Sequence, residues 1–104
     1  MTDQNKIQEI QILEQNMQNL FLQKQSIQIE LSESQSALKE MENSSDEVFK
    51  MVGKLLIKTE KSKIKEELSN KEKFLEIKMK SFEKQESLLM DKIEKIREEV
   101  IKQK

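Results

Sequence analysis

The side chains that most often move protons or attack carbonyls are missing from this sequence. It has no histidine, cysteine, tyrosine or tryptophan, so acid–base or nucleophilic work would fall to carboxylates, lysines, hydroxyls and one arginine, Arg97. The carboxylates are interleaved with lysines in a pattern that leaves them solvated, and the only glycine, Gly53, rules out a glycine-rich loop for phosphate. The inventory predicts no enzyme, no metal site and no cofactor. What the residues can do is associate. In EVFKMVGKLLIKTEK, residues 47–61, the apolar side chains of Val48, Phe49, Met51, Val52, Leu55, Leu56 and Ile57 crowd together off the helical beat, with turn-capable Gly53 at the centre. That is the pattern of two short strands and a tight connection.

The rest of the chain must carry that stretch. At 104 residues, 38% charged and 35% hydrophobic with four aromatics, the composition is poor material for a globular core. Nineteen basic against 20 acidic residues leave a net charge of -1 and no field to attract a polyanion, so nucleic acid is not expected as a partner. No apolar run approaches the roughly 20 residues of a membrane span, nor does one resemble a signal sequence; a cytoplasmic protein is expected.

From Ile10 to Met41 a heptad can be laid down with Ile10, Met17, Lys24, Leu31 and Leu38 at one seam position and Leu13, Leu20, Ile27, Ser34 and Met41 at the other. In the second half Leu68, Leu75, Phe82, Leu89 and Ile96 fall seven apart, with Met79, Ile93 and Val100 at the other seam position and Glu72 and Glu86 as exceptions. Stripes this narrow and this long mark a coiled coil rather than a short packed helix. Two such helices joined by about twenty residues fold back on each other, as arms projecting on the order of 50 to 60 Å. The fold class expected is mostly α, an antiparallel two-helix coiled coil joined by a β-hairpin. A register placing Leu31 level with Met79 and Met17 with Ile93 sets Lys24 beside Glu86, either as a register-setting pair or as two side chains snorkelling to water.

Asn43, Ser44, Ser45 and Asp46 are four weak helix formers in a row and should stop the first helix; Thr59 or Ser62 can cap the second, with Glu60 near its N-terminal dipole. As a single domain over 1–104, the chain divides into a first helix (1–43), a hairpin (44–60) and a second helix (61–104). Alternation puts Val48, Lys50 and Val52 on one face of the first strand and Phe49 and Met51 on the other, and sets Leu55 and Ile57 against Leu56 and Lys58. Both faces are largely apolar and both edges open, a combination that an isolated hairpin cannot cover but other chains can. A hairpin tucked against its own helices is the alternative.

The segment VFKMVGKLLIKT, Val48 to Thr59, lies between two coiled-coil arms. It is preceded by Gln23-Lys24-Gln25, Glu30-Leu31-Ser32-Glu33 and Ala37-Leu38-Lys39-Glu40. Together these resemble the β-type subunits of the prefoldin family over nearly the whole chain. Position 49, usually tyrosine there, is phenylalanine here, which keeps the ring; a single hairpin favours β-type over α-type, which would carry two. The resemblance implies an ATP-independent holdase chaperone, a hexamer of α-type and other β-type subunits whose hairpins join into intersubunit β-barrels. Its coiled-coil tips would hold unfolded client polypeptides and deliver them to a group II chaperonin. It makes Val48, Phe49, Met51, Val52, Gly53, Leu55, Leu56 and Ile57 the oligomerisation residues. For the tips, Ile7, Ile12 and Ile101 lie off the seam beside Ile10, Leu13, Ile96 and Val100; if the terminal turns splay, these seven form an adaptable apolar surface for clients.

Two other classes are open to the same residues. A coiled-coil scaffold or tether would bind one partner helix through off-seam Phe21, Leu22, Ile29, Phe74 and Ile77, but has no need of a two-faced apolar hairpin. A nucleic-acid-binding coiled coil would use Lys58, Lys61, Lys63 and Lys65, a run that Glu60, Glu66 and Glu67 interrupt.

Overall fold

The structure, a computed structural model, describes residues 2–44 and 47–102. The elements follow in the order α1 (Thr2–Glu42), β1 (Glu47–Val52), β2 (Leu55–Glu60) and α2 (Lys61–Lys102). Two compact units result, one of residues 27–77 and one of residues 1–26 with 78–104.

In the unit of residues 27–77, α1 ends where the helix formers run out. Asn43 and Ser44 donate their backbone N–H groups to the carbonyls of Glu40 and Met41, a tightened last turn, and the Ser44 hydroxyl donates a second bond to Met41 at 3.0 Å. Ser45 and Asp46 of the expected stop signal lie outside the described residues. The two strands pair antiparallel with Val52 opposite Leu55, Lys50 opposite Ile57 and Val48 opposite Thr59. Their loop is Gly53–Lys54, and Gly53 has φ +63° while no non-glycine residue described has positive φ. Positive φ at the first loop position alone is the type II′ hairpin turn, whose twist matches that of the strands. A Cβ at Gly53 would meet nothing within 4 Å, so glycine serves the backbone here and not a close approach.

The start of α2 differs from expectation. The strand runs to Glu60 and the helix begins at Lys61 without a linker. Thr59 is thereby held in the ladder opposite Val48, and Ser62 is the second helical residue, so neither occupies the capping position. The junction is tied instead by Lys61, whose Nζ donates to the Ser44 carbonyl at 3.1 Å, a cation placed just beyond the C-terminal end of α1. The seam of this unit is its core: Ile27, Leu31, Ser34, Met41 and Leu75 are buried, and Leu38, Leu68 and Glu72 are half-buried.

In the unit of residues 1–26 with 78–104, the helical segments run antiparallel, as the ion pairs Lys6–Glu99, Glu14–Arg97 and Lys24–Glu86 require. Leu20 and Ile93 are buried, and Ile10, Leu13, Met17, Met79, Phe82, Leu89, Ile96 and Val100 are half-buried. Every residue assigned to the seam is withdrawn at least partly from water, in both units. Lys24 lies beside Glu86, its Nζ donating to Oε2 at 3.3 Å and Oε1 at 3.4 Å with the two side chains only 24% and 26% exposed. Of the two readings of these polar seam residues, the structure therefore gives the pair.

Candidate interaction surfaces

Strand alternation and the observed register sort the hairpin into two faces. One carries Val48, Lys50, Val52, Leu55, Ile57 and Thr59, the other Glu47, Phe49, Met51, Leu56, Lys58 and Glu60. The first face turns toward α2, since Lys50 Nζ donates to Glu67 Oε2 at 2.9 Å, and Val48 and Thr59 are half-buried. The cover stops there. Phe49, Met51, Val52, Leu55, Leu56 and Ile57 are between 46% and 70% exposed, and they belong to both faces. The hairpin is thus not tucked against its helices. On the outer face Lys58 reaches diagonally to Glu47 at 3.1 Å, relieving the direct opposition of Glu47 and Glu60 across the strands. The sheet has two strands among the described residues, so each strand keeps one edge open.

At the start of α1 and the end of α2, the terminal turns are not splayed. Ile10, Leu13, Ile96 and Val100 sit half-buried in the seam, and the ion pairs Lys6–Glu99 at 3.3 Å and Glu14–Arg97 bridge the two segments beside them. Ile7, Ile12 and Ile101 point away and are exposed. The seven side chains are therefore split between a closed seam and three exposed isoleucines rather than merged in one surface. Leu88 and Met90 are also exposed, and sequence reasoning missed both. Leu88 precedes seam residue Leu89 and Met90 follows it, so the signal available was an apolar triplet where the heptad asks for one residue.

No helix among the described residues is long and apolar enough to cross a membrane, and among them no cluster of acidic residues is arranged to hold a metal ion. Two antiparallel heptad helices that hand over to a naked two-stranded sheet define a class of coiled-coil subunit, and that class has known members. A family profile described as "Prefoldin subunit" matches residues 4–104. A prefoldin subunit beta of Thermococcus onnurineus is 36% identical over 89 residues, covering 84% of this chain and 77% of that protein. One from Saccharolobus islandicus is 30% identical over 99 residues, covering 93% and 79%. The crystal structure of the prefoldin beta subunit from Thermococcus strain KS-1 superposes with a TM-score of 0.88 at 34% identity, covering 95% of this chain and 89% of that one. The chain belongs to the prefoldin family, and its resemblance is to the beta subunits. It is accordingly a chaperone component and not an enzyme.

Proposed function

We propose that the chain is a subunit of a cytoplasmic hexameric holdase that needs no ATP, assembled with α-type and other β-type prefoldin subunits through its hairpin. The whole chain, residues 1–104, works as one prefoldin domain in this reading. The observation that carries it is the exposure of six large apolar side chains on both faces of a sheet with open edges. Covering them would contribute on the order of 10 kcal/mol before the entropic cost of association is subtracted. Strands from other subunits supply the cover and satisfy the open edges at once, closing β-barrels.

Client polypeptides are held by apolar side chains at the start of α1 and the end of α2, with Ile7, Ile12 and Ile101 exposed and Ile10, Leu13, Ile96 and Val100 behind them. The holdase then passes its client to a group II chaperonin. Binding without nucleotide chemistry has to draw on surface that is apolar and already exposed, which Ile7, Ile12 and Ile101 provide. Co-expression with an α-type prefoldin subunit, followed by native mass measurement, tests the assembly. A mixed hexamer is the expected product; a chain that purifies alone beside a fully assembled partner would refute it.

A further inference from the structure

With no cysteine in the sequence, methionine is the only residue type here that carries sulfur open to oxidation. Among the described residues the methionines differ widely in their access to water. Met41 is 7% exposed in the seam, Met17 and Met79 are half-buried there, Met90 on α2 is 51% exposed, and Met51 on β1 is 70% exposed. Met51 is the most open of these, and it stands on the sheet whose apolar faces assembly has to cover.

Met51 lies opposite Leu56 across the hairpin and two residues from Phe49, so the three share one face. A thioether there is one more apolar group, a weak acceptor at most, and a partner strand buries it at little cost. Oxidation by a peroxide changes that. The sulfur lone pair attacks one oxygen of hydrogen peroxide, and an S–O bond forms as the O–O bond breaks. The departing oxygen takes up the proton of the transferred one and leaves as water, so sulfur gives up two electrons and the peroxide gains them. The product is a sulfoxide, a polar acceptor with no donor of its own.

This face of the hairpin has nothing to offer that acceptor. Lys58 is its only donor side chain, and it reaches along one diagonal to Glu47 at 3.1 Å, away from the other diagonal, which leads to Met51. The neighbours Phe49 and Leu56 have no hydrogen-bonding side chain. A sulfoxide at position 51 is satisfied by water while the hairpin is open and loses that water when another strand covers it.

We propose that Met51 is an oxidation site that gates assembly. Peroxide converts it to the sulfoxide in the unassembled chain, the sulfoxide form is barred from strand pairing, and assembly in turn shields the thioether. The inference rests on assembly through the hairpin and adds a chemical condition on which chains can enter. Met90 is the internal comparison, since it is also exposed but lies on α2, outside the hairpin.

The test treats the full chain with hydrogen peroxide, measures sulfoxide at each methionine by peptide mass spectrometry, and then mixes the chain with an α-type prefoldin subunit for native mass measurement. Met51 should oxidise fastest and Met41 slowest of the described methionines. The oxidised chain should assemble at least about tenfold more weakly than the untreated one, and methionine sulfoxide reductase should restore it. Met51→Leu keeps the apolar bulk and should assemble normally before and after peroxide; Met90→Leu should stay as peroxide-sensitive as the parent. In the preformed oligomer Met51 should be protected while Met90 still oxidises. Undiminished assembly of a chain carrying the sulfoxide at position 51, or a Met51→Leu chain that peroxide disables as readily as the parent, would overturn the proposal and leave hairpin assembly standing. Absence of any mixed oligomer with the untreated chain would instead refute the assembly itself, and the proposal with it.

Discussion

Reversing the charge of Lys24 probes the step from heptad pattern to register most directly. At 3.3 Å, the Lys24–Glu86 attraction is about 5 kcal/mol at an effective dielectric of 20 and about 1.3 kcal/mol at that of water. With about three quarters of each side chain withdrawn from solvent, loss of hydration at both ends offsets much of the larger figure. A net coupling of about 1–2 kcal/mol is left, above that of an exposed pair. Lys24→Glu sets two carboxylates together at the seam, and Glu86→Lys sets two ammonium groups together. Each single variant loses the attraction and adds a repulsion and should lose stability, and the double variant should be more stable than the sum of the two predicts by at least about 1–2 kcal/mol. Urea unfolding followed by circular dichroism at fixed protein concentration measures this, the fixed concentration being needed because assembly contributes to apparent stability. Sodium chloride at 1 M shortens the Debye length to about 3 Å and should reduce the coupling without abolishing it. A coupling below about 0.3 kcal/mol, or a double variant no more stable than the singles predict, would show that the pair is incidental and that apolar packing alone sets the register.

Gly53→Val should cost about 1–2 kcal/mol of hairpin stability from positive φ alone, and Gly53→Asn less; native mass should show weakened assembly for valine at an unchanged helical signal, and equal assembly for all three residues would disprove the turn's role. Val52→Asp with Ile57→Asp puts two carboxylates on one hairpin face and should abolish the mixed oligomer while leaving the arms helical, an expectation refuted if the variant sediments as the parent does. A chain trimmed to residues 14–95 should still assemble with its α-type partner yet fail to suppress light scattering by a protein diluted from denaturant. Full protection by the trimmed assembly would remove the helix ends from client binding.

The seam was legible because it obeys one period and has one job. Two positions in seven, kept up from Ile10 to Met41 and again from Leu68 to Val100, left a single face for each helix to bury, and even the polar intruders Lys24 and Glu86 could be placed opposite each other by counting. The hairpin was legible for the opposite reason: Val48 to Ile57 break that period, and lone Gly53 marks where the chain can take positive φ. The helix start was not, because Thr59 is both a good cap and a good strand residue, and the ladder partner Val48 decides between them only once the register exists.

Exposure by itself does not distinguish a working surface from an ordinary one, since isolated apolar residues are normal on the outside of proteins. Density does. Phe21, Leu22, Ile29, Phe74 and Ile77 are each more than half exposed, but apart from the adjacent Phe21 and Leu22 they are scattered over two long helices with amides, charges and hydroxyls between them. On the hairpin, Phe49, Met51, Val52, Leu55, Leu56 and Ile57 fall within nine consecutive positions, and the backbone beneath them has unpaired edges as well. Burying one set without the other would leave either apolar side chains or peptide groups unsatisfied. Strand pairing meets both needs in one event, whereas docking a helix on the sheet would cover a face and leave its edges open. The occupant proposed for the hairpin is therefore a strand of another chain, since a coiled coil whose seam is already filled by its own two helices has none to give.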